Sequence, residues 1–305
     1  MSLMRKTLLA LSESDKLYHF INSHEFSRNM AHRFIAGEGL DEAVEAIREV
    51  NRKKMIATFD HLGENVHNLD EARKAVEVYI RILDKIRETG IDSNVSLKLT
   101  ELGLDLDERA CEENLGKILD KAESYRNFIR LDMEGSPYTE RTLNLFKRLF
   151  PSRKNVGVVI QAYLYRSEKD IEDMIGLQAR VRLCKGAYNE PPEVAFPKKK
   201  DVDDNYVKLM KRLLENGNYP GIATHDQRII EETKAFAKEK KIDPTRFEFQ
   251  MLYGIRRELQ DELVKDGYNL RIYVPYGKKW YPYFMRRLAE RPANLMFFFT
   301  SLIRG

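Results

Sequence analysis

The segment Trp280-Tyr-Pro-Tyr-Phe-Met-Arg-Arg-Leu-Ala-Glu-Arg-Pro292 places Tyr283, Arg286, Arg287 and Glu290 at helical positions i, i+3, i+4 and i+7, on one face of a helix. Two adjacent guanidinium groups one turn beyond an aromatic ring suit a small carboxylate. The planar forks clamp the anion and the ring covers its apolar part. The same pattern also describes a solvated face carrying an Arg–Glu pair. A second group of polar residues follows short β-branched or aromatic runs. Asp60 and His61 end the first run and Lys98 sits in the second. Asp132 ends the third, Gln161 the fourth, and Arg182 and Lys185 lie at the fifth. Thr224, His225 and Asp226 end the sixth, Gln250 and Tyr253 mark the seventh, and Tyr273 lies in the eighth. Any one of these is equally an ordinary loop residue or half of an ion pair. All of them together at the rim of a packed core are costly unless paired or used.

The runs that carry them are 55–59, 95–99, 128–131, 156–160, 179–183, 221–224, 247–251 and 270–274. Amphipathic stretches separate them, such as Val76, Ile80, Leu83 and Ile86, or Tyr206, Leu209, Met210, Leu213 and Leu214. Strands alternating with helices predict parallel βαβ units, and eight of them predict closure into an α/β (βα)8 TIM-like barrel. Several strands mix polar with apolar residues, unlike the continuous apolar runs of a doubly wound sheet. In such barrels the site lies at the C-terminal ends of the strands, where the polar residues fall. Before the first run, Leu40, Ala43, Val44, Ile47 and Val50 recur at helical spacing with Asp41 in the first turn. The expected organisation is an N-terminal helical extension over residues 1–54 and a catalytic barrel over residues 55–305.

Composition narrows the function classes. The 305 residues are 43% hydrophobic and 33% charged, enough for one large core under a well-solvated surface. The 52 basic and 48 acidic residues are interspersed, so no basic stripe supports a nucleic-acid partner despite a pI of 8.8. Cys111 and Cys184 match no metal spacing and read as small buried hydrophobes in a reducing compartment. The apolar run after Met1 is too short for a signal sequence and is followed at once by Ser12, Glu13 and Asp15. No stretch has the length of a membrane span. The expectation is a cytoplasmic protein, with peripheral membrane contact open. Leu8, Leu9, Leu11, Phe20 and Ile21 in the extension fit a subunit contact, a membrane contact or simple packing. Neither G-x-G-x-x-G nor G-x-x-x-x-G-K-[ST] occurs, which argues against a Rossmann or P-loop nucleotide site. Leu183-Cys-Lys-Gly-Ala187 does put a basic residue and a glycine at a strand end, a turn that can bring backbone N–H groups to a phosphate.

From about Ala36 to Leu302 the chain resembles the monofunctional bacterial proline dehydrogenases. The matching stretches include Asp60-His-Leu-Gly-Glu64, Val95-Ser-Leu-Lys-Leu-Thr100, Arg130-Leu-Asp-Met-Glu134 and Gln161-Ala-Tyr-Leu-Tyr-Arg166. They continue with Val181-Arg-Leu-Cys-Lys-Gly-Ala187, Ala223-Thr-His-Asp226, Phe247-Glu-Phe-Gln-Met-Leu-Tyr-Gly254, Tyr273-Val-Pro-Tyr-Gly277 and Arg286-Arg-Leu-Ala-Glu-Arg-Pro292. The resemblance implies a distorted barrel whose final helix lies over the mouth, non-covalent FAD at the strand ends, and oxidation of L-proline to Δ1-pyrroline-5-carboxylate. Electrons would then pass to a membrane quinone. It implies that Lys98, Arg286 and Arg287 bind the proline carboxylate, with Asp132 and Glu290 as counter-charges. Tyr273, Tyr283 and Leu252 would pack on the proline ring. Arg182 would approach the flavin N5 region and pair with Glu290 as a lid. Gln161 would bond the pyrimidine edge of the flavin. Cys184, Lys185, Gly186, Ala187, Thr224, His225 and Gln250 would line the rest of the cofactor site. Cys184 stands where the family often has valine, and Gly135 where a larger polar residue is usual.

Three rivals remain at this level. One is a Schiff-base aldolase or lyase with Lys98 or Lys185 as nucleophile. Another is a metal-dependent hydrolase using Asp60, His61, His225 and Asp226. The third is a non-catalytic binding protein that has kept the barrel. The oligomeric state is not set by the sequence.

Overall fold

A computed structural model describes residues 33–63 and 66–290, the last five of these by backbone alone. The expectations placed on the first 32 residues, on Glu64 and beyond Glu290 therefore lie outside the described residues. The helix α1 (Leu40–Arg52) opens the described chain. Its first turn is closed by Glu42, whose carboxylate accepts from the backbone N–H groups of Glu38 (2.8 Å) and Gly39 (3.1 Å). Ala43, Val44, Ile47 and Val50 are its buried face, which packs against the first and last strands.

Eight parallel strands follow and close into a barrel in sequence order: β1 (Ile56–His61), β2 (Ser93–Leu97), β3 (Ile129–Leu131), β4 (Val156–Gln161), β5 (Val181–Cys184), β6 (Gly221–Ala223), β7 (Glu248–Leu252) and β8 (Asn269–Tyr276). β8 closes on β1 with Thr58 opposite Tyr273 and Asp60 opposite Pro275. The connecting helices are α2 (Leu69–Thr89), α3 (Glu108–Ser124), α4 (Ser136–Leu149), α5 (Ser167–Gly176), α6 (Lys199–Asn216), α7 (Gln227–Glu239) and α8 (Arg257–Lys265). Their starts carry side-chain caps where the sequence supplies an acceptor. Asn68 accepts from Glu71 N–H, Asp107 from Ala110 N–H, and Asp226 from Arg228 N–H.

Residues alternate along each strand. Phe59, Val95, Leu97, Ile129, Leu131, Val181, Leu183, Ile222, Phe249, Met251, Ile272 and Val274 are buried in the main apolar core. The alternate positions meet one another across the barrel lumen. Arg271 of β8 donates to Asn94 of β2 at 2.8 Å, and Arg182 of β5 to Ser96 of β2 at 3.1 Å. The lumen is thus filled by paired polar groups, which explains the polar residues inside the expected strands.

Every strand is displaced from expectation at one end or both by a residue or two, and two of these shifts have a clear cause. β2 begins at Ser93 and stops at Leu97, two residues earlier than the hydrophobic run suggests. Ser93 and Asn94 are polar yet pair with Ala57 and Thr58 of β1, while Leu99–Leu102 coil into a 3-10 turn ended by Gly103. β8 runs on to Tyr276, because the Pro275 and Tyr276 carbonyls still accept from Ala36 and Leu62 N–H at 2.8 Å each.

The last described helix, α9 (Trp280–Glu290), lies at the barrel mouth. Trp280 Nε1 donates to Glu38 at 3.1 Å, and the Phe284 ring sits 6.2 Å from that of Phe34. The chain before α1 and the chain after β8 therefore roof the barrel together.

Candidate active site

A cavity of about 950 Å³ opens at the C-terminal ends of the strands, at the upper end of ordinary ligand-site volumes. Lys98, Asp132, Arg182, Leu252, Tyr273 and Tyr283 stand on its wall, six of the strand-end and helix residues singled out in the sequence. Asp132 is their hub. One of its oxygens accepts from Arg182 Nη1 at 2.7 Å and from Ser96 Oγ at 2.8 Å; the other accepts from the Tyr273 hydroxyl at 2.6 Å. Burial, reinforced by Asp132, holds the Tyr273 phenol well above its usual pKa, so it stays a proton donor in this contact. The Arg182 guanidinium lies 5.2 Å over the Tyr273 ring, and its Nε donates to Gln250 Oε1. Its Nη2 is buried and has no partner among the described residues. Lys98 is 3.5 Å from Asp60, a nearly inaccessible carboxylate at the end of β1.

More of the lining comes from the ends of β5, β6 and β7. Cys184, Lys185, Gly186, Ala187, Thr224, His225 and Gln250 all belong to it. Lys185 Nζ is held between Asp203 (2.5 Å) and Asp226 (2.8 Å). His225 Nε2 accepts from Leu252 N–H at 2.9 Å, which fixes its ring by the backbone of β7. Gly186 adopts φ +119°, and a Cβ there would stand 2.4 Å from the Tyr163 ring. Only glycine allows both that conformation and that approach. Cys111 is buried, as expected of a small hydrophobe, whereas Cys184 is half-exposed to the cavity.

Gln161 is not on the wall. It is buried behind it, with Nε2 donating to the Glu134 carbonyl at 2.7 Å and Oε1 unpartnered among the described residues. The side chains of Arg286, Arg287 and Glu290 lie outside those described; their backbone continues the helix that brings Tyr283 to the cavity. Sequence reading missed Tyr163, Glu190 and Asp203. Tyr163 backs Gly186, and its hydroxyl meets Glu190 at 3.2 Å. Glu190 in turn accepts from Ser136 N–H at 2.7 Å, tying the loop after β5 to α4. These contacts join residues 27 to 54 apart in the chain, and no periodicity announces them.

The rivals fare unequally. Both wall lysines face carboxylates as ion pairs, Lys98 with Asp60 and Lys185 with Asp203 and Asp226. Among the described residues no three His, Cys, Asp or Glu side chains converge as a metal site. No described helix is long and apolar enough to cross a membrane.

A closed (βα)8 barrel with a charged cavity at its strand ends, roofed by its last described helix, defines the class: a barrel enzyme with its site at the C-terminal face. Residues 43–299 match the family model described as "Proline dehydrogenase", and the chain belongs to that family of oxidoreductases of proline catabolism. It is 46% identical over 278 residues to Proline dehydrogenase 2 of Bacillus subtilis, covering 91% of this chain and 92% of that one. Identity to Proline dehydrogenase of Deinococcus radiodurans is 39% over 310 residues, 99% of each chain. Among solved structures, proline utilization A (PutA) from Bdellovibrio bacteriovorus, inactivated by N-propargylglycine, superposes with a TM-score of 0.81 at 29% identity. That match covers 86% of this chain and 32% of the longer protein, so the chain spans about a third of its length.

Proposed function

We propose that the barrel binds FAD non-covalently and oxidises L-proline to Δ1-pyrroline-5-carboxylate, with a quinone as final electron acceptor. The observation that carries the reading is that Lys98, Asp132, Arg182 and Tyr273 share one cavity with Tyr283 and the Gly186 turn. The residues present fit the cofactor. Gly186 lets the turn after β5 line the cavity with Tyr163 packed against its back, Lys185 adds a cation, and Arg182 Nη2 is a buried donor in need of an acceptor. FAD would be held by Arg182, Cys184, Lys185, Gly186, Ala187, Thr224, His225 and Gln250. Gln161 Oε1, buried and unpartnered among the described residues, is the acceptor on offer behind them. When bound, FAD supplies the acceptor for the hydride that leaves the ring carbon beside nitrogen.

The protein's own residues do the rest. Lys98, Arg286 and Arg287 fix the substrate carboxylate, with Asp132 and Glu290 as counter-charges. Tyr273, Tyr283 and Leu252 hold the ring flat and keep water off it. Glu290, on the roofing helix, would pair with Arg182 as a lid. No side chain need act as a strong general base, since proline reacts with a neutral amine; the rate therefore rises with pH as the substrate loses its proton. The enzyme is read as cytoplasmic, meeting the membrane peripherally to reach the quinone, and as an extension over residues 1–54 followed by the barrel. The family resemblance supports the quinone and the membrane contact, and the helical spacing before β1 supports the boundary.

The visible spectrum of the purified protein tests the reading. A flavin absorbance that bleaches anaerobically with L-proline, and returns with a soluble quinone, is expected. A protein that stays colourless after incubation with FAD, or a flavin that L-proline leaves oxidised, overturns it.

A further inference from the structure

The barrel lumen below the cavity holds a line of side chains that alternate donor and acceptor. Arg271 on β8 grips Glu248 on β7 in a fork, Nε to Oε1 at 2.7 Å and Nη2 to Oε2 at 3.1 Å. Its remaining nitrogen donates to Ala57 O (2.7 Å) and to Asn94 Oδ1 (2.8 Å). Glu248 then accepts from Gln250 Nε2, and Gln250 Oε1 accepts from Arg182 Nε. Above, Arg182 reaches Asp132, and Asp132 reaches Tyr273. Glu248 is 2% exposed, and nothing about the reaction requires a carboxylate at that depth.

An ionised carboxylate only accepts, and a guanidinium only donates. Gln250 stands between one of each, so its amide has a single satisfactory orientation: NH₂ down to Glu248, oxygen up to Arg182. Gly221 on β6 makes room for that amide, because a Cβ there would lie 2.4 Å from Gln250 Nε2. Burial opposes the charge on Glu248, but Arg271 outweighs it and holds the carboxyl below its usual pKa. The acceptor character at the base of the line is thus kept across the working pH range.

We propose that Glu248 is a positioning residue: by orienting the Gln250 amide it fixes the Arg182 guanidinium, and through it Asp132 and Tyr273, at the cavity wall. This rests on the functional reading above only for its kinetic consequence. In Glu248→Gln the neutral amide can accept or donate. Gln250 is then free to turn its NH₂ toward Arg182, which loses an acceptor. The exchanged pair Glu248→Gln/Gln250→Glu restores the alternation. The amide now at position 248 accepts from Arg271 and donates to the carboxylate at position 250, and that carboxylate accepts from Arg182.

The test follows the Nε–H resonance of Arg182 in arginine-labelled holoenzyme, assigned by its loss in Arg182→Lys, alongside proline kinetics. In Glu248→Gln the resonance should shift or broaden through water exchange. kcat should fall roughly ten- to a hundredfold while KM for L-proline moves less. The exchanged pair should recover the resonance, which is read on its own because position 250 also lines the proposed FAD wall. If Glu248→Gln does not fold, Glu248→Asp, which keeps the charge beside Arg271 but draws the carboxylate back from Gln250, should give the same loss of the Arg182 signal. An unchanged Arg182 resonance in the folded variant sinks the inference, as does an exchanged pair no better than the single change. A parent protein without flavin or proline oxidation would instead sink the functional reading, and the resonance would still judge the relay.

Discussion

Arg182 Nη1 donates to Asp132 Oδ1 at 2.7 Å, joining the end of β5 to the residue after β3 across the barrel mouth. Both side chains are about nine-tenths buried, so removing one leaves the other charged and uncompensated. Asp132→Ala should cost about 3 kcal/mol of stability, and at least about a hundredfold in kcat/KM for L-proline, because Tyr273 loses its anchor at the same time. Asp132→Asn keeps an acceptor and should fall between. Denaturant titration with steady-state kinetics checks both; an Asp132→Ala enzyme as active as the parent would remove Asp132 from the site.

Lys185 links two carboxylates and is the cation nearest the Gly186 turn in sequence. Lys199 also reaches Asp203 and comes within 3.7 Å of Asp226, so Lys185→Met should destabilise the fold by only about 1 kcal/mol. Its larger effect should be on the anionic cofactor, with FAD held roughly tenfold more weakly and proline KM measured at saturating FAD little changed. Fluorescence titration of the stripped protein with FAD measures the first quantity. Equal affinity in both proteins would place the phosphates elsewhere.

Glu101 is buried beside β1, where its carboxyl accepts from Gly63 N–H at 3.1 Å and from the Tyr79 hydroxyl. Burial pushes its pKa up to about 8 from 4.5, against the pull of Lys98. The folded state therefore binds the proton more tightly. The resulting stability is complete below pH 4.5 and is lost as pH rises through 8. His61 next to it is lowered from 6.5 to about 4 by burial and then by Lys98, so its contribution is present above pH 6.5 and lost as pH falls through 4. Between pH 6.5 and 8 only the Glu101 slope operates of these two. Over that window the parent enzyme should lose about 1 kcal/mol per pH unit relative to Glu101→Gln. That corresponds to a Tm difference changing by about 3 °C per unit. Parallel Tm curves would show that Glu101 does not titrate there.

Much of this site was legible because strands alternate and barrels put chemistry at one end. Reading the last residue of each run placed Lys98, Asp132, Arg182, Gln250 and Tyr273 together, and all five line the cavity. The misplaced start of β2 did not disturb Lys98, since the residue that leaves the strand is also the N-cap of the next turn. The lumen was not read, because Glu248 and Arg271 sit at strand beginnings and a buried charge looks prohibitive until its partner is known; each is the other's partner. The loop contacts of Tyr163, Glu190 and Asp203 were invisible for another reason. The partners of Tyr163 and Glu190 come from other βα units, and Asp203 meets Lys185 only after the long loop between β5 and α6 folds back.

Gly186 gives the sharpest separation of cofactor from substrate effects. Its φ of +119° lies where a side chain is strained, and a Cβ would meet the Tyr163 ring at 2.4 Å. That ring cannot simply swing aside, because its hydroxyl is bonded to Glu190, which also holds the start of α4 through Ser136. Gly186→Ala thus imposes two penalties: a backbone term of about 1–2 kcal/mol and a steric term that depends on Tyr163. Both act on the turn that lines the proposed FAD wall, whereas Lys98, Tyr273 and Leu252 belong to other βα units and stay in place. FAD affinity should fall by at least about tenfold while KM for L-proline at saturating FAD stays close to that of the parent. Adding Tyr163→Leu to Gly186→Ala should remove the steric term and recover part of the affinity, but not the backbone part. Full recovery would mean that the unusual conformation costs nothing there. No loss in Gly186→Ala alone would mean that the turn does not touch the cofactor.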